Sequence, residues 1–181
     1  MDKTIIIDKD ICLTKSSRGD KRALIEYLND KEIFNQTLRI PFPYSESDAE
    51  ANIEHNINFE TKNNKRRNWV IRDSDNKLMG HIGLHYPYGL DSDKNEVYYW
   101  LGKPFRNKGI MTKVLQGFSD YCFSILKYKR LEAPIFDFNV SSANVLVKSG
   151  YTFEQNLPDH YTKGDKKISA KMYAKTSGHT D

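Results

Sequence analysis

Apolar positions along the chain change their period several times, and each change marks an element. Near the N-terminus "KTIIIDKDICLT" is rich in β-branched residues and predicts one strand, ended by the turn "SSRGD", which offers Ser17 or Asp20 as a helix N-cap. Ala23, Leu24, Tyr27 and Leu28 then predict a short helix. In "QTLRIPFPYSESDAEANIEHNINFE", Pro41 and Pro43 predict a shaped loop, and Ser45 or Ser47 before acidic residues predicts a second helix with Ala49, Ile53 and Ile57 on its apolar stripe. From Asn68 the rhythm becomes that of strands: "NWVIRD", the turn "DSDNK", "KLMGHIGLHY", a loop with Gly and Asp, and "KNEVYYWLG" predict an antiparallel meander. Ile110, Val114, Phe118, Tyr121 and Ile125 recur at helical spacing and predict a long amphipathic helix. "KRLEAPIFDFN" reads as a buried strand in which Pro134 marks a bulge or an edge. "SSANVLVKSG" reads as a short helix capped by Ser141 or Ser142 and stopped by Gly150, and "YTFEQ" and "KKISAKMYAK" as the last strands. The expected order is βααβββαβαβ plus a final β.

Length and charge narrow this only a little. A chain of 181 residues fits a single domain over 1–181 with a real core. The absence of a run of about 18 apolar residues, and an N-terminus that mixes acids with its lysines, predict a cytoplasmic protein without a membrane partner. Cys12 and Cys122 lack metal-type spacing and are expected to be reduced thiols. The net charge of +4 arises from 28 basic and 24 acidic residues interspersed, a mild excess that suits a phosphate-bearing cofactor as well as a nucleic acid. "KNNKRRNW" is the densest basic run, yet neither a recognition helix nor stacking partners accompany it, so no dedicated nucleic-acid binding is expected.

The chemistry concentrates in "YYWLGKPFRNKGIM". An aromatic strand breaks at Gly102 and Pro104, and Arg106, Lys108 and Gly109 stand where the long helix begins. A helix start offers unpaired N–H groups and the positive end of its dipole, and glycine lets an anion come close. The junction is expected to hold phosphate. Neither G-x-x-x-x-G-K-[ST] nor G-x-G-x-x-G is present, and an ordinary turn with basic decoration remains the alternative.

"EVYYWLGKPFRNKGIMTKVL" closely resembles the strand, pyrophosphate loop and helix of the GCN5-related N-acetyltransferases, in particular the RimJ/RimL-like branch, which acetylates protein N-termini and other amines. "NVSSANVLVKSGYTFE" resembles that branch's later signature through Asn139, Ser142, Val145, Leu146, Lys148, Gly150 and Tyr151, and "TLRIPFPYSESDAEANI" resembles its first interhelical loop and second helix. The three motifs are in order and span almost the whole chain. In the loop pattern Gln/Arg-x-x-Gly-x-Gly/Ala, Arg106 and Gly109 match, while Met111 replaces the last small residue. The resemblance implies an α+β, three-layer fold: a mixed sheet of about seven strands, splayed between the fourth ("KNEVYYWLG") and fifth ("KRLEAPIFDFN"), with about four flanking helices. It further implies that acetyl-CoA, with no metal, lies along Trp100, Leu101 and Gly102, then Arg106, Asn107, Lys108, Gly109, Ile110, Met111 and Thr112, with Asn139 and Ser142 beside the pantetheine arm.

Acetyl transfer to an amine needs a neutral nucleophile, a place for negative charge on the thioester oxygen, and a proton for the leaving thiolate. Glu96, on the strand leading into the junction, is the candidate base, directly or through water; a solvated edge glutamate is the alternative. Backbone N–H groups around Leu101 answer the second need. Ser142 matches the serine that some of these enzymes hold near the sulfur, and a helix N-cap is its alternative role. His81 and His85 fall on one strand face about 13 Å apart, too far to share a zinc ion. Phe42, Tyr44, Tyr86, Tyr88 and Tyr161 are core residues or an acceptor pocket, and acceptor selectivity is expected in the loops Thr37 to Ser47 and Leu157 to Lys167. The expected activity is transfer of acetyl to a protein N-terminal or small-molecule amine by a monomer or homodimer. A non-catalytic CoA-binding scaffold of the same fold is the alternative.

Overall fold

The computed structural model describes residues 4–178 and holds eight strands and five α-helices. The strands form a mixed sheet in the order β1-β2-β3-β4-β5-β6-β8-β7, with ranges given below. The chain divides into two compact units, Met1–Gly83 with Tyr99–Ile110, and Leu84–Tyr98 with Met111–Asp181.

In the first unit the N-terminal stretch forms two strands, β1 (Ile5–Ile6) and β2 (Ile11–Thr14), where the sequence pattern gave one. Asp8 accepts the Asp10 N–H at 2.9 Å and turns the chain, so that Ile5 pairs with Leu13. This adds the eighth strand. β2 continues into an antiparallel ladder with β3 (Asn68–Asp73), and β3 with β4 (Leu78–Leu84). Ser17 opens a short 3-10 turn by donating its N–H to Asp20 at 2.8 Å, and α1 (Lys21–Leu28) follows. α2 (Lys31–Gln36) is the helix that periodicity missed, because six residues are too few to show a stripe; Asp30 caps it by accepting the Glu32 N–H. α3 (Glu46–Asn63) has Ser45 as its N-cap, with Asp48 returning the bond to the Ser45 N–H, and buries Ala49 and Ile53 as expected. Leu24, Tyr27, Leu28, Ile33, Tyr44, Ile53, Val70, Leu78 and Trp100 form one apolar cluster.

In the second unit β5 (Lys94–Leu101, up to Tyr98 here) runs parallel to β6 (Arg130–Phe136), β6 pairs along its whole length with β8 (Lys166–Thr176), and β8 pairs with β7 (Thr152–Lys163). The β5–β6 ladder has only three rungs, Lys94–Arg130, Asn95–Leu131 and Glu96–Glu132. Beyond Glu132 the strand β6 has β8 as its ladder partner, and Pro134 lies in that stretch, as an edge proline should. Parting of the fourth and fifth strands of the sequence reading is thus visible as an interrupted ladder. α4 (Ile110–Ser124) buries Met111, Val114, Leu115, Phe118 and Cys122. That face is rotated from the expected stripe, and Ile125 is exposed beyond the helix end. The short strand expected at "YTFEQ" is twelve residues long, so the segment expected as a loop at Leu157 to Lys167 is a hairpin turning at Gly164, where φ is +59°. Alternation is hidden there by two register shifts, between Phe153 and Gln155 and between Leu157 and Tyr161.

Candidate active site

In the first unit β5 ends against β4 and α1. The Gly102 N–H donates to the Met79 carbonyl at 2.9 Å, and a Cβ on Gly102 would stand 2.8 Å from the Tyr27 ring. Gly80 is equally confined: a Cβ there would fall 2.2 Å from the Trp100 carbonyl oxygen. After Gly102 the chain makes a 3-10 turn, Lys103–Phe105, whose phenyl ring meets Tyr27 edge-on at 5.6 Å. Asn107 and Gly109 both adopt positive φ, +60° and +74°, on either side of Lys108, the kind of handedness alternation from which backbone anion nests are built. Asn107, Lys108 and Gly109 are exposed, and a Cβ on Gly109 would meet nothing within 4 Å. Glycine is required there by backbone conformation and leaves open space above it.

Arg106 departs from the picture of a cation waiting for phosphate. Its Nε donates to the Leu101 carbonyl at 2.9 Å, Nη1 to Glu32 at 2.8 Å and Nη2 to Asp30 at 2.8 Å. Trp100 is not at the surface either: it lies in the apolar cluster with α1 and α3, its indole 5.1 Å from the His81 ring. His81 is buried, with Nδ1 3.0 Å from the Asn68 amide nitrogen; burial pulls it down to about 4, Asp20 opposing and Arg72 reinforcing.

In the second unit the last rung of the β5–β6 ladder sets two carboxylates side by side, Glu96 and Glu132. Glu96 is half-buried, and its carboxyl is held above the ordinary carboxylate range by burial first and by the Glu132 charge second, with Lys94 opposing. Glu132 goes the other way. Burial acts to raise it, but the Tyr88 hydroxyl and the Arg130 guanidinium, with Nε at 2.7 Å, together outweigh that and hold it low. Arg130 also donates to Glu154 at 2.9 Å, and Lys94 stands 3.8 Å over the Tyr88 ring. Burial and the Glu132 carboxylate raise the Tyr88 phenol, so it remains a donor. Neighbouring bonds fix this end of β5: Asn95, fully buried, accepts from the Tyr86 and Glu96 N–H groups, and the His85 N–H donates to the Glu96 carbonyl at 2.9 Å. His85 stacks on Tyr98 with centroids 4.3 Å apart. Tyr88 is among the aromatics expected in the core or in an acceptor pocket, and Glu132 is a site residue that the sequence analysis does not single out. Its signal is a carboxylate within the apolar run of this strand, between Leu131 and Ala133, a costly placement without partners.

Asn139, rather than Ser141 or Ser142, caps α5 (Val140–Lys148): its Oδ1 accepts the Ser142 N–H and the Ser141 hydroxyl, each at 3.0 Å. An Asn one residue before the helix reaches the third N–H of the first turn, which Ser142 inside the helix does not. Ser142 is half-buried in that turn. The start of α4 is tied to the end of α5 through the Ser149 hydroxyl, which donates to the Thr112 carbonyl at 3.3 Å, and Gln116, which donates to the Lys148 carbonyl at 3.0 Å. Met111 is buried, so the side chain that replaces a small residue in the loop pattern is spent on the core.

Among the described residues, no group of His, Cys, Asp and Glu is arranged to hold a metal, and no helix is long and apolar enough to cross a membrane. Burial raises the Cys122 thiol well above its usual range, which makes it a poor nucleophile. In the basic run, Arg66 is committed to Glu60 and Arg67 to His55 and the Phe59 ring.

Residues 10–152 match the family described as the acetyltransferase (GNAT) domain. A probable N-acetyltransferase, YjcK of Bacillus subtilis strain 168, is 35% identical over 82 residues, 45% of each chain; the match therefore spans less than half of that relative. Among solved structures, ribosomal-protein-S5-alanine acetyltransferase from Vibrio fischeri superposes with a TM-score of 0.83 at 15% identity, covering 99% of this chain and 100% of that one. Spermidine N-acetyltransferase from Vibrio cholerae, solved with CoA and spermine, gives 0.77 at 19% identity, covering 93% and 96%. At such identities these two show the fold, whereas the family match covers most of the sequence. The chain belongs to the GNAT acetyltransferase family.

Proposed function

We propose that the protein, acting as one domain over 1–181 in the cytoplasm, as a monomer or homodimer, transfers the acetyl group of acetyl-CoA to a primary amine, a protein N-terminal or a small-molecule one, by direct attack. The observation that carries this reading is the half-buried Glu96 carboxylate, held at high proton affinity at the point where the β5–β6 ladder stops. Glu96 takes a proton from the incoming ammonium, directly or through water. The freed lone pair forms the N–C bond as the C–S bond breaks, and the second proton lost by nitrogen balances the one gained by the thiolate, through Ser142. Backbone N–H near Leu101 faces the developing oxyanion. Two features support acetyl-CoA phosphate on the backbone from Arg106 to Met111, with Thr112, Gly102 and Asn139 flanking: the two left-handed residues Asn107 and Gly109, and the open space over Gly109. Similarity of fold to both a ribosomal-protein-S5-alanine acetyltransferase and a spermidine N-acetyltransferase supports an amine acceptor without choosing between the two kinds.

Thiol release from acetyl-CoA, measured against peptides with varied N-termini, polyamines and amino acids, tests the reaction. Turnover with at least one amine is expected, together with a rise in Tm on adding CoA, since a ligand of the folded state stabilises by mass action. Stabilisation by CoA with no turnover on any amine would leave a CoA-binding scaffold. No stabilisation at millimolar CoA would overturn the reading.

A further inference from the structure

Arg106 has three acceptors, and they lie on three separate pieces of chain. Nε holds the carbonyl of Leu101 at the end of β5, Nη2 holds Asp30, and Nη1 holds Glu32, all at 2.8 to 2.9 Å. The guanidinium is only 19% exposed and Asp30 16%, so the contact is largely shielded from water, where an ion pair counts for more than at a free surface. With two carboxylates on one guanidinium the local charge is net negative, a poor seat for pyrophosphate.

Asp30 has a second duty: its other oxygen accepts the Glu32 N–H and caps α2. Its neighbour Asn29 grips Tyr44 from both sides, donating to the Tyr44 carbonyl at 2.7 Å and accepting the Tyr44 N–H at 2.9 Å. Thr37 ends α2, and Tyr44 lies just before the Ser45 cap of α3. The stretch between them is the interhelical loop whose composition marked it for acceptor recognition. Hydrogen bonds thus lead from Leu101 through Arg106 to Asp30, the cap of α2, and the adjoining Asn29 holds the Tyr44 end of that loop.

We propose that Arg106 is a positioning residue that ties the 102–109 loop to α2, so that binding of CoA at the loop orders residues 37–45 on the acceptor side; it does not bind phosphate with its side chain. This rests on the CoA-binding reading above. It gives the loop pattern's arginine a reason that differs from charge: the turn is held in shape before any ligand arrives, and the backbone amides do the binding.

Asp30→Asn separates the possibilities, because asparagine caps a helix as well as aspartate but has no charge for Arg106. Calorimetry with CoA should show Kd raised about tenfold in Asp30→Asn and in Arg106→Gln, with the double variant no worse than either, as expected for residues acting through one contact. The slope of CoA affinity against salt should be unchanged in Arg106→Gln. Amide hydrogen exchange of residues 37–45 should slow when CoA saturates the wild type, and this protection should be lost in CoA-saturated Asp30→Asn. If Asp30→Asn does not fold, Glu32→Gln takes its place in the same measurements. Tighter CoA binding by Asp30→Asn together with a shallower salt slope in Arg106→Gln would make the guanidinium a phosphate ligand and overturn the proposal. Equal protection of 37–45 in wild type and variant would also overturn it. Both results leave CoA binding intact, whereas a wild type that does not bind CoA removes the functional reading itself, and this proposal with it.

Discussion

The loop from Gly102 to Gly109 and the carboxylate cluster around Glu96 solve opposite problems. The loop works through backbone: glycines where side chains would collide or where φ is positive, an arginine that braces the turn, and exposed side chains at Asn107 and Lys108. The cluster works through side chains, and its chemistry comes from who neighbours whom. Of two glutamates on one rung, Glu132 has a phenol and a guanidinium and stays ionised at low pH, while Glu96 has burial and the charge of Glu132 and keeps its proton to higher pH. One carboxylate thereby adds to what burial already does to the basicity of the other. A backbone site tolerates changes of surface charge and suffers from changes of shape; a paired-carboxylate site does the reverse.

The comparison breaks most visibly at Glu96. Glu96→Gln is expected to retain CoA affinity and lose roughly 10²-fold or more in kcat at neutral pH, the usual range for a general base. The deficit should shrink as pH nears the acceptor's own pKa, where free amine forms unaided. Steady-state kinetics across pH with isothermal titration of CoA checks both halves, and unaltered kcat would make Glu96 structural.

Gly109→Val is expected to act on the other region alone. A β-branched residue at φ +74° strains the turn, at a cost of roughly 1–2 kcal/mol, so a lowered Tm accompanies a CoA affinity reduced about tenfold. Thermal melts and titration read these separately. Unchanged CoA affinity in the folded variant would move the phosphate elsewhere.

Glu132→Gln gives the smallest effect and the sharpest test of the pairing. Glu96 is raised partly by the Glu132 charge, so removing that charge lowers the Glu96 pKa. The base then stays deprotonated to lower pH, and the acidic limb of the kcat profile should shift downward by less than one unit, with kcat on the plateau reduced less than tenfold. No shift would mean that burial alone sets Glu96, and an upward shift would overturn the pairing.

What was legible in the sequence follows this division. Glycine, proline and helix-start signals are local, so the turn between Gly102 and the helix start, a cap at Ser45 or Ser47 and the Gly150 stop are readable from spacing, while the choice of Ser45 needed the structure. Glu132 meets Glu96 across 36 positions of chain, and Tyr88 meets Glu132 across 44, so only strand pairing reveals them. The same holds for Arg106, whose partners Asp30 and Glu32 lie more than seventy residues earlier. Short elements escaped for a different reason: two residues of β1 and six of α2 are below the length at which a period can be counted.

Pro134 has a consequence for the protein as a solute. Two rungs past Glu96–Glu132, the register of the parallel ladder would set Tyr98 opposite Pro134, whose nitrogen carries no hydrogen. Among the described residues the parallel ladder does not continue beyond Glu132, which leaves that edge of β6 with backbone groups of the kind that recruit strands from other molecules and seed precipitation. A proline in the row removes a donor where an intruding strand would need one, and equally where β5 would zip shut on its own neighbour. Pro134 is thereby expected to disfavour strand addition at this edge and to lower the tendency of the protein to aggregate through it.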